Sequence, residues 1–436
     1  MKVPANKIYL SILLCLLISS FFVFSSFFPS IANVVKGDET EVEEIEEVEE
    51  AEEVNMEDSI EFESPSDLHE IINFNIFEDI SRAKELLENM TCGFKVIKVT
   101  KTEKVKKPVK GKKPVKGKKT KKGRKEKSGK RVAKVRKTIR NELGDFNILL
   151  AIENLKTRDI QVVKVHPKFG ARSDGVVIEP GKSNGVNTKF TIVYPERHIV
   201  LALKRPVRHG TSFKEVVYTP YSEGLDIPDV RKAGLEYLKN VLSKAKNDLI
   251  DRGVRPLSSD KFIDDDVSLT LAIIEHIDPQ KFESGKYTKK RLIHETLVIM
   301  GTNKQSAYRY SASKAGARGL FQFIPDTYKR IARLYPRAGL ENDFIHGMED
   351  HENAAKASFL LFDADMRVLN NGRKDQLMSD PRALGRFLAS AYNCGSGRTK
   401  GSMDRYGEQW CSCVPAETQI YLKKYDVVWE WLHRQP

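Results

Sequence analysis

Polar and apolar positions change rhythm several times along the chain, and each change marks a segment. Residues 8–28 are continuously apolar, follow Lys2 and Lys7, and give way to Pro29-Ser30-Ile31-Ala32. A positive start, an apolar core and small residues at its end predict an export signal over 1–33, cleaved after Ala32. The run also meets the roughly 20 residues that span a bilayer, so an uncleaved anchor is equally allowed. Residues 65–97 carry Leu68, Ile71, Ile72, Phe77, Ile80 and Leu87, which predict one or two short helices. From 145 to 218 the pattern turns to short β-branched runs parted by Ser173-Asp174-Gly175, Glu179-Pro180-Gly181 and Ser183-Asn184-Gly185. These predict a small antiparallel β domain over 141–225 with no catalytic constellation. Pro228-Asp229 then opens a helix with Val230, Leu235, Leu238, Leu242, Ala245 and Leu249 at helical spacing. A second helix follows Asp264-Asp265-Asp266, buries Val267, Leu271 and Ile274, and ends near Glu275-His276-Ile277-Asp278-Pro279. The fold class is α+β: the β domain, then an α-rich domain over 226–436.

Charge changes this picture in two places. The net +13 conceals an acidic segment over 34–64 and a lysine-rich one over 98–140. The acidic run repels itself and has little to bury, so it is expected to be disordered. The basic run repeats Pro108-Val109-Lys110-Gly111-Lys112-Lys113 as Pro114-Val115-Lys116-Gly117-Lys118-Lys119. Such a repeat binds phosphate polymers electrostatically, but it lacks the interleaved aromatics that stack bases. In an exported chain it reads as a low-complexity tether touching anionic envelope polymers or lipid head groups, with nucleic acid disfavoured. Five cysteines are too few for a disulfide scaffold. An oxidising compartment would permit one bridge, Cys394 with Cys411 or with Cys413.

Three stretches near the C-terminus carry the chemistry: Ser313-Lys314-Ala315-Gly316-Ala317-Arg318-Gly319-Leu320-Phe321-Gln322, then Ala391-Tyr392-Asn393-Cys394-Gly395, then Pro415-Ala416-Glu417-Thr418-Gln419-Ile420-Tyr421. In this order they resemble the soluble lytic transglycosylase (SLT) domain, a lysozyme-like family that cleaves peptidoglycan, over about residues 265–430. The resemblance implies an α-rich lysozyme-like catalytic domain and a single catalytic glutamate at the end of an apolar helix. Glu275 fits that place, although His276 stands where the family has serine. Glu283, in a literal Glu-Ser pair, and Glu295 are the lesser candidates. Glu275 lies much farther ahead of Ser313 than in the family, so residues 280–310 are expected to loop out beside the cleft as an insertion.

By resemblance, Ser313 positions substrate near the acid, Phe321 supplies an apolar wall and Gln322 bonds a sugar amide. Tyr392 and Asn393 contact a sugar face and acetamido groups. Glu417 ties the cleft together and Tyr421 reaches the site. His346-Gly347-Met348-Glu349-Asp350-His351-Glu352 has a metal-like look but reads as an acidic helix start, so neither metal nor cofactor is expected. The implied activity is that of a peptidoglycan lytic transglycosylase. It breaks the MurNAc-GlcNAc β-1,4 bond of glycan strands and leaves 1,6-anhydromuramoyl ends, with one glutamate acting as acid and then base. The expected location is periplasmic, anchored to the inner membrane by residues 1–33. The alternatives are a hydrolytic muramidase, with Asp404 or Glu408 as second carboxylate, and a catalytically inactive peptidoglycan-binding protein.

Overall fold

The computed structural model describes residues 75–105, 134–173, 175–210, 212–254 and 265–434. The export signal, the acidic segment and the lysine repeat lie outside these residues. Among the described residues no helix is long and apolar enough to cross a membrane.

The first element, α1 (Ile76–Glu88), buries Ile76, Ile80, Ala83 and Leu87, a stripe at helical spacing. It is not a separate helical segment, because it packs on the β domain. Buried Asp79 pairs with Arg158 and with Arg82, the latter at 3.1 Å. At the other end Lys204 donates to the carbonyls of Leu87, Glu88 and Met90 at 3.1, 3.0 and 2.6 Å. A cation on the last carbonyls matches the negative end of the helix dipole.

Strands β1 (Val96–Val105) and β2 (Lys134–Leu143) pair antiparallel from Val96↔Leu143 to Val105↔Lys134. The expectation of a structureless tether over 98–140 is therefore corrected at both ends. Val, Ile and Thr are interspersed among the charged residues there, and such β-branched residues suit a pleated ribbon. Next come β3 (Ile148–Asn154), β4 (Ile160–Val165), β5 (Ala171–Ser173), β6 (Val176–Pro180), β7 (Phe190–Tyr194), β8 (His198–His209) and β9 (Ser212–Tyr218). They form a four-stranded sheet in the order β4-β3-β8-β9 and a three-stranded sheet β5-β6-β7. Strand β3 is buried along six successive residues, so it reads as an apolar run without alternation.

The remaining chain is helical. Helices α2 (Pro228–Asp251), α3 (Asp265–Ile274), α4 (Pro279–Glu283) and α5 (Lys289–Asn303) lead into a loop, and α6 (Pro325–Leu334) and α7 (Phe344–Glu349) follow it. Then come α8 (His351–Met366), α9 (Asn371–Met378), α10 (Pro381–Cys394), α11 (Ser396–Tyr406) and α12 (Ala416–His433). Proline at the first turn opens α2, α4, α6 and α10. Asp278, Thr288 and Asp350 cap α4, α5 and α8 through side-chain oxygens. Helix α3 is buried from Val267 to Ile274 and touches α12, α2, α10, α5 and α8.

The stretch 280–310 does not loop out. Its helix α5 buries Leu292, Ile293, Leu297, Val298 and Met300 and lies against α2. The contact is backbone to backbone: a Cβ on Gly234 would sit 2.0 Å from the Leu297 carbonyl oxygen, and one on Gly301 would sit 2.2 Å from that of Val230. The same stretch is where the β domain attaches. The Asn303 amide donates to the Thr219 carbonyl at 2.8 Å and accepts from the Thr219 N–H at 2.9 Å. The Tyr308 N–H donates to the Tyr218 hydroxyl at 3.3 Å, and Lys84 donates to the Thr302 carbonyl at 2.7 Å.

Candidate active site

Glu275 is the first residue beyond α3, and its N–H still donates to the Leu271 carbonyl at 3.2 Å. The chain then unwinds through His276 and Ile277 to Asp278, whose side chain starts α4. The half-buried Glu275 carboxyl thus stands at the negative end of a helix buried from Val267 to Ile274. Tyr421 of α12 donates its hydroxyl to Glu275 Oε1 at 2.5 Å. Three residues on, and so on the same helix face, Lys424 donates to the Ile277 carbonyl at 2.5 Å and to that of Ile274 at 3.5 Å. Burial pushes the Glu275 carboxyl up from 4.5 to about 7, against the pull of the Tyr421 hydrogen bond and the Lys424 charge. A carboxyl balanced near neutrality can give up a proton and take one back.

His276 takes a different task from a serine. Its ring stacks on Tyr308 with centroids 3.4 Å apart, and Nε2 lies 2.8 Å from the Leu320 carbonyl. Burial lowers its pKa to about 3, so the ring is neutral, and Nε2 carries the proton because a carbonyl only accepts. His276 therefore holds the 313–323 loop to the end of α3. That loop folds on itself: the Ser313 N–H donates to the Ala317 carbonyl at 2.9 Å, and the Ala317 N–H returns to Ser313 Oγ at 3.0 Å. Arg318 and Phe323 exchange backbone bonds at 3.1 Å each way. Gly319 lies at φ 73°, where a Cβ would meet the Met348 carbonyl oxygen at 2.2 Å. Gln322 also has a left-handed backbone, φ 46°, and its side-chain amide donates to the Gly319 carbonyl at 2.8 Å.

The residues expected from the three motifs separate into two groups. Glu275, Tyr421 and Tyr392 come together: the Tyr392 hydroxyl donates to the Phe321 carbonyl, and its ring meets Phe323 and Phe362 edge-on. The charge of Glu275 bears on the phenols of both tyrosines. Asn393 accepts from the Thr418 hydroxyl at 2.7 Å, which ties α10 to α12. Ser313 and Glu417 are exposed, the former closing its own turn and the latter in the first turn of α12. Phe321, expected to supply an apolar wall, has a fully buried side chain, and its carbonyl accepts from the Tyr392 hydroxyl.

The competing carboxylates occupy other settings. Glu283 is exposed and 3.7 Å from Lys423. Glu295 is ion-paired with Lys189, with Lys281 at 3.3 Å and with Arg291 at 3.8 Å, at the junction with the β domain. Asp404 pairs with Arg373 and Lys400 on the exposed side of α11, and Glu408 is exposed. Sequence reasoning missed two charged groups. Lys424 is one, and its three-residue spacing from Tyr421 was the available signal. The other is Asp365, buried in α8, accepting from the Ser396 hydroxyl at 2.9 Å and raised to about 6 by burial. An aspartate inside the apolar run of α8 was its signal. His351 belongs to the core, bonded to the Ala307 carbonyl and the Tyr237 hydroxyl at 2.9 Å each. Among the described residues no group of His, Cys, Asp and Glu is arranged to hold a metal ion. Cys394, Cys411 and Cys413 are free thiols, so the bridge that an oxidising compartment would permit is not formed here.

Comparison with known proteins matches residues 284–410 to the family described as Transglycosylase SLT domain. No curated protein matches the chain. The matched span takes in Ser313, Gln322, Tyr392 and Asn393 and leaves Glu275 and Tyr421 outside it. The helical C-terminal part of this chain therefore carries a transglycosylase SLT domain, the domain of the lysozyme-like lytic transglycosylases.

Proposed function

We propose that the protein is a peptidoglycan lytic transglycosylase that uses Glu275 first as acid and then as base. The observation that carries this reading is the Glu275 carboxyl itself, at the end of an apolar helix, bonded to Tyr421 and raised to about 7. Glu275 gives its proton to the glycosidic oxygen of the MurNAc-GlcNAc β-1,4 bond as the bond to the muramoyl anomeric carbon breaks. The neighbouring acetamido group of the sugar stabilises the positive charge that develops there. The sugar's C6 hydroxyl then attacks the same carbon and returns its proton to Glu275, leaving a 1,6-anhydromuramoyl end and consuming no water. One carboxylate suffices, unlike the pair that hydrolytic glycosidases use. Ser313, Gln322, Tyr392, Asn393 and Glu417 contact the glycan around it. The protein works in the periplasm, held at the inner membrane through residues 1–33, and its lysine-rich segment touches anionic envelope polymers or lipids.

The test is mass spectrometry of purified peptidoglycan digested with the protein and with Glu275→Gln. Anhydromuropeptides, each one water lighter than hydrolysed ends and absent with the variant, are the expected products. Reducing ends would make the enzyme a hydrolase. An active variant would move the acid to Glu283, and no release by either protein would leave a peptidoglycan-binding protein.

A further inference from the structure

We infer that Lys424 is a positioning residue for the Glu275 carboxyl, clamping the turn that carries it and bringing a positive charge to bear on it. The inference rests on the reading of Glu275 as the acid. Lys424 is 4% exposed, and a buried ammonium is costly unless its donors find partners. Its partners are the carbonyls of Ile274 and Ile277, which bracket Glu275 in the chain. The ammonium therefore braces the residues on both sides of the carboxyl-bearing one, at the negative end of α3, where a cation is favoured. The Ile274 carbonyl also accepts from the Ile277 N–H at 3.3 Å, so the ammonium reinforces the closing turn of α3 there and adds its shorter bond at the Ile277 carbonyl.

The charge also acts on the carboxyl. Burial and the end of α3 favour its protonated form, and Lys424 favours the ionised one; burial lowers the ammonium itself to about 8, against the support of the Glu275 charge. The groups facing this pair are few. Tyr421 comes from α12 and Tyr392 from α10. Asp278 and neutral His276 lie on the same turn as Glu275, and Glu417 acts on Lys424 from the start of α12. Lys424 is the cation among them, so it sets how far burial can raise the acid. Its displacement of the Glu275 equilibrium brings the acid's titration into the neutral range.

Lys424→Gln keeps an amide donor for Ile277 and removes the charge. In the full protein, the alkaline limb of the pH profile for muropeptide release marks where Glu275 loses its proton. Losing a nearby positive charge makes that loss harder, so the limb should move up by about one pH unit. Lys424→Arg should leave it in place. A limb that stays put in the Gln variant, with activity lowered by one factor at every pH, would mean a purely structural lysine and overturn the inference. If neither variant folds, the ammonium of Lys424 can be followed by ¹⁵N NMR in wild type and in Glu275→Gln. The reciprocal effect requires it to deprotonate at lower pH in the variant, and identical titrations would overturn the inference equally. An active Glu275→Gln enzyme would remove the premise, and the inference with it. An inactive one beside an unmoved limb in Lys424→Gln would overturn the role of Lys424 alone.

Discussion

Replacing Glu275 with glutamine should stabilise the protein, and only towards neutral pH. Burial raises this carboxyl from 4.5 to about 7, so between those values the folded protein keeps a proton that the unfolded chain has released. Stability then falls as pH climbs through that window, and above it the wild type carries the full cost of a half-buried ionised group. At about 1.36 kcal/mol per pH unit, a window from 4.5 to about 7 amounts to about 3 kcal/mol. Glutamine has the same shape, and its side-chain oxygen still accepts from Tyr421, so little is lost in exchange. One opposing effect is built in, because the ammonium of Lys424 loses the charge that supports it. The assay is urea unfolding of both proteins at pH 4, 6 and 7.5, followed by tryptophan fluorescence and circular dichroism. Near pH 4 the two midpoints should nearly coincide, and the variant should pull ahead as pH rises. A constant offset, or a wild type that is the more stable protein at pH 7.5, would refute the argument that burial dominates at this site.

Two further outcomes follow from the packing around the site. Gly301→Ala would drive a methyl group into the Val230 carbonyl, 2.2 Å from its Cβ position, and force α2 and α5 apart. A loss of about 1–3 kcal/mol is expected in thermal unfolding, and an unchanged melt would mean the helices separate freely. His276→Ser restores the residue usual in the family but removes both the bond to the Leu320 carbonyl and the stack on Tyr308. It should cost about 2 kcal/mol and lower glycan cleavage at least tenfold; full activity would show that the 313–323 loop needs no such hold.

Much of this was readable beforehand, for identifiable reasons. The end of α3 shows in the sequence because an apolar run stops at Glu275 and an Asp-Pro turn follows. The motif order placed Tyr421 at the site, but its bond to Glu275 was not legible, since 146 residues separate the two. The fate of residues 280–310 was not legible. Two glycines at helical positions look like weaknesses, and only the facing helix turns Gly234 and Gly301 into points of contact. Phe321 misled for a related reason: an aromatic beside a cleft glutamine looks like a wall, whereas the left-handed backbone at Gln322 accompanies a turn whose ring lies inside. The pairing of β1 with β2 was hidden because lysine dominates the composition there, although the β-branched residues between the lysines set the ribbon.

The seam at Thr219, Asn303 and Tyr308 has a practical meaning for anyone dividing the protein. Tyr218 at the end of the β domain supports Tyr308, Tyr308 stacks on His276, and His276, the neighbour of Glu275, grips the Leu320 carbonyl. A cut at residue 226, where the pattern of the chain invites one, would pull the first member out of that series and expose the underside of the 313–323 loop. The β strands are thus part of what holds the 313–323 loop in place, and the two parts are better treated as one unit than as interchangeable modules.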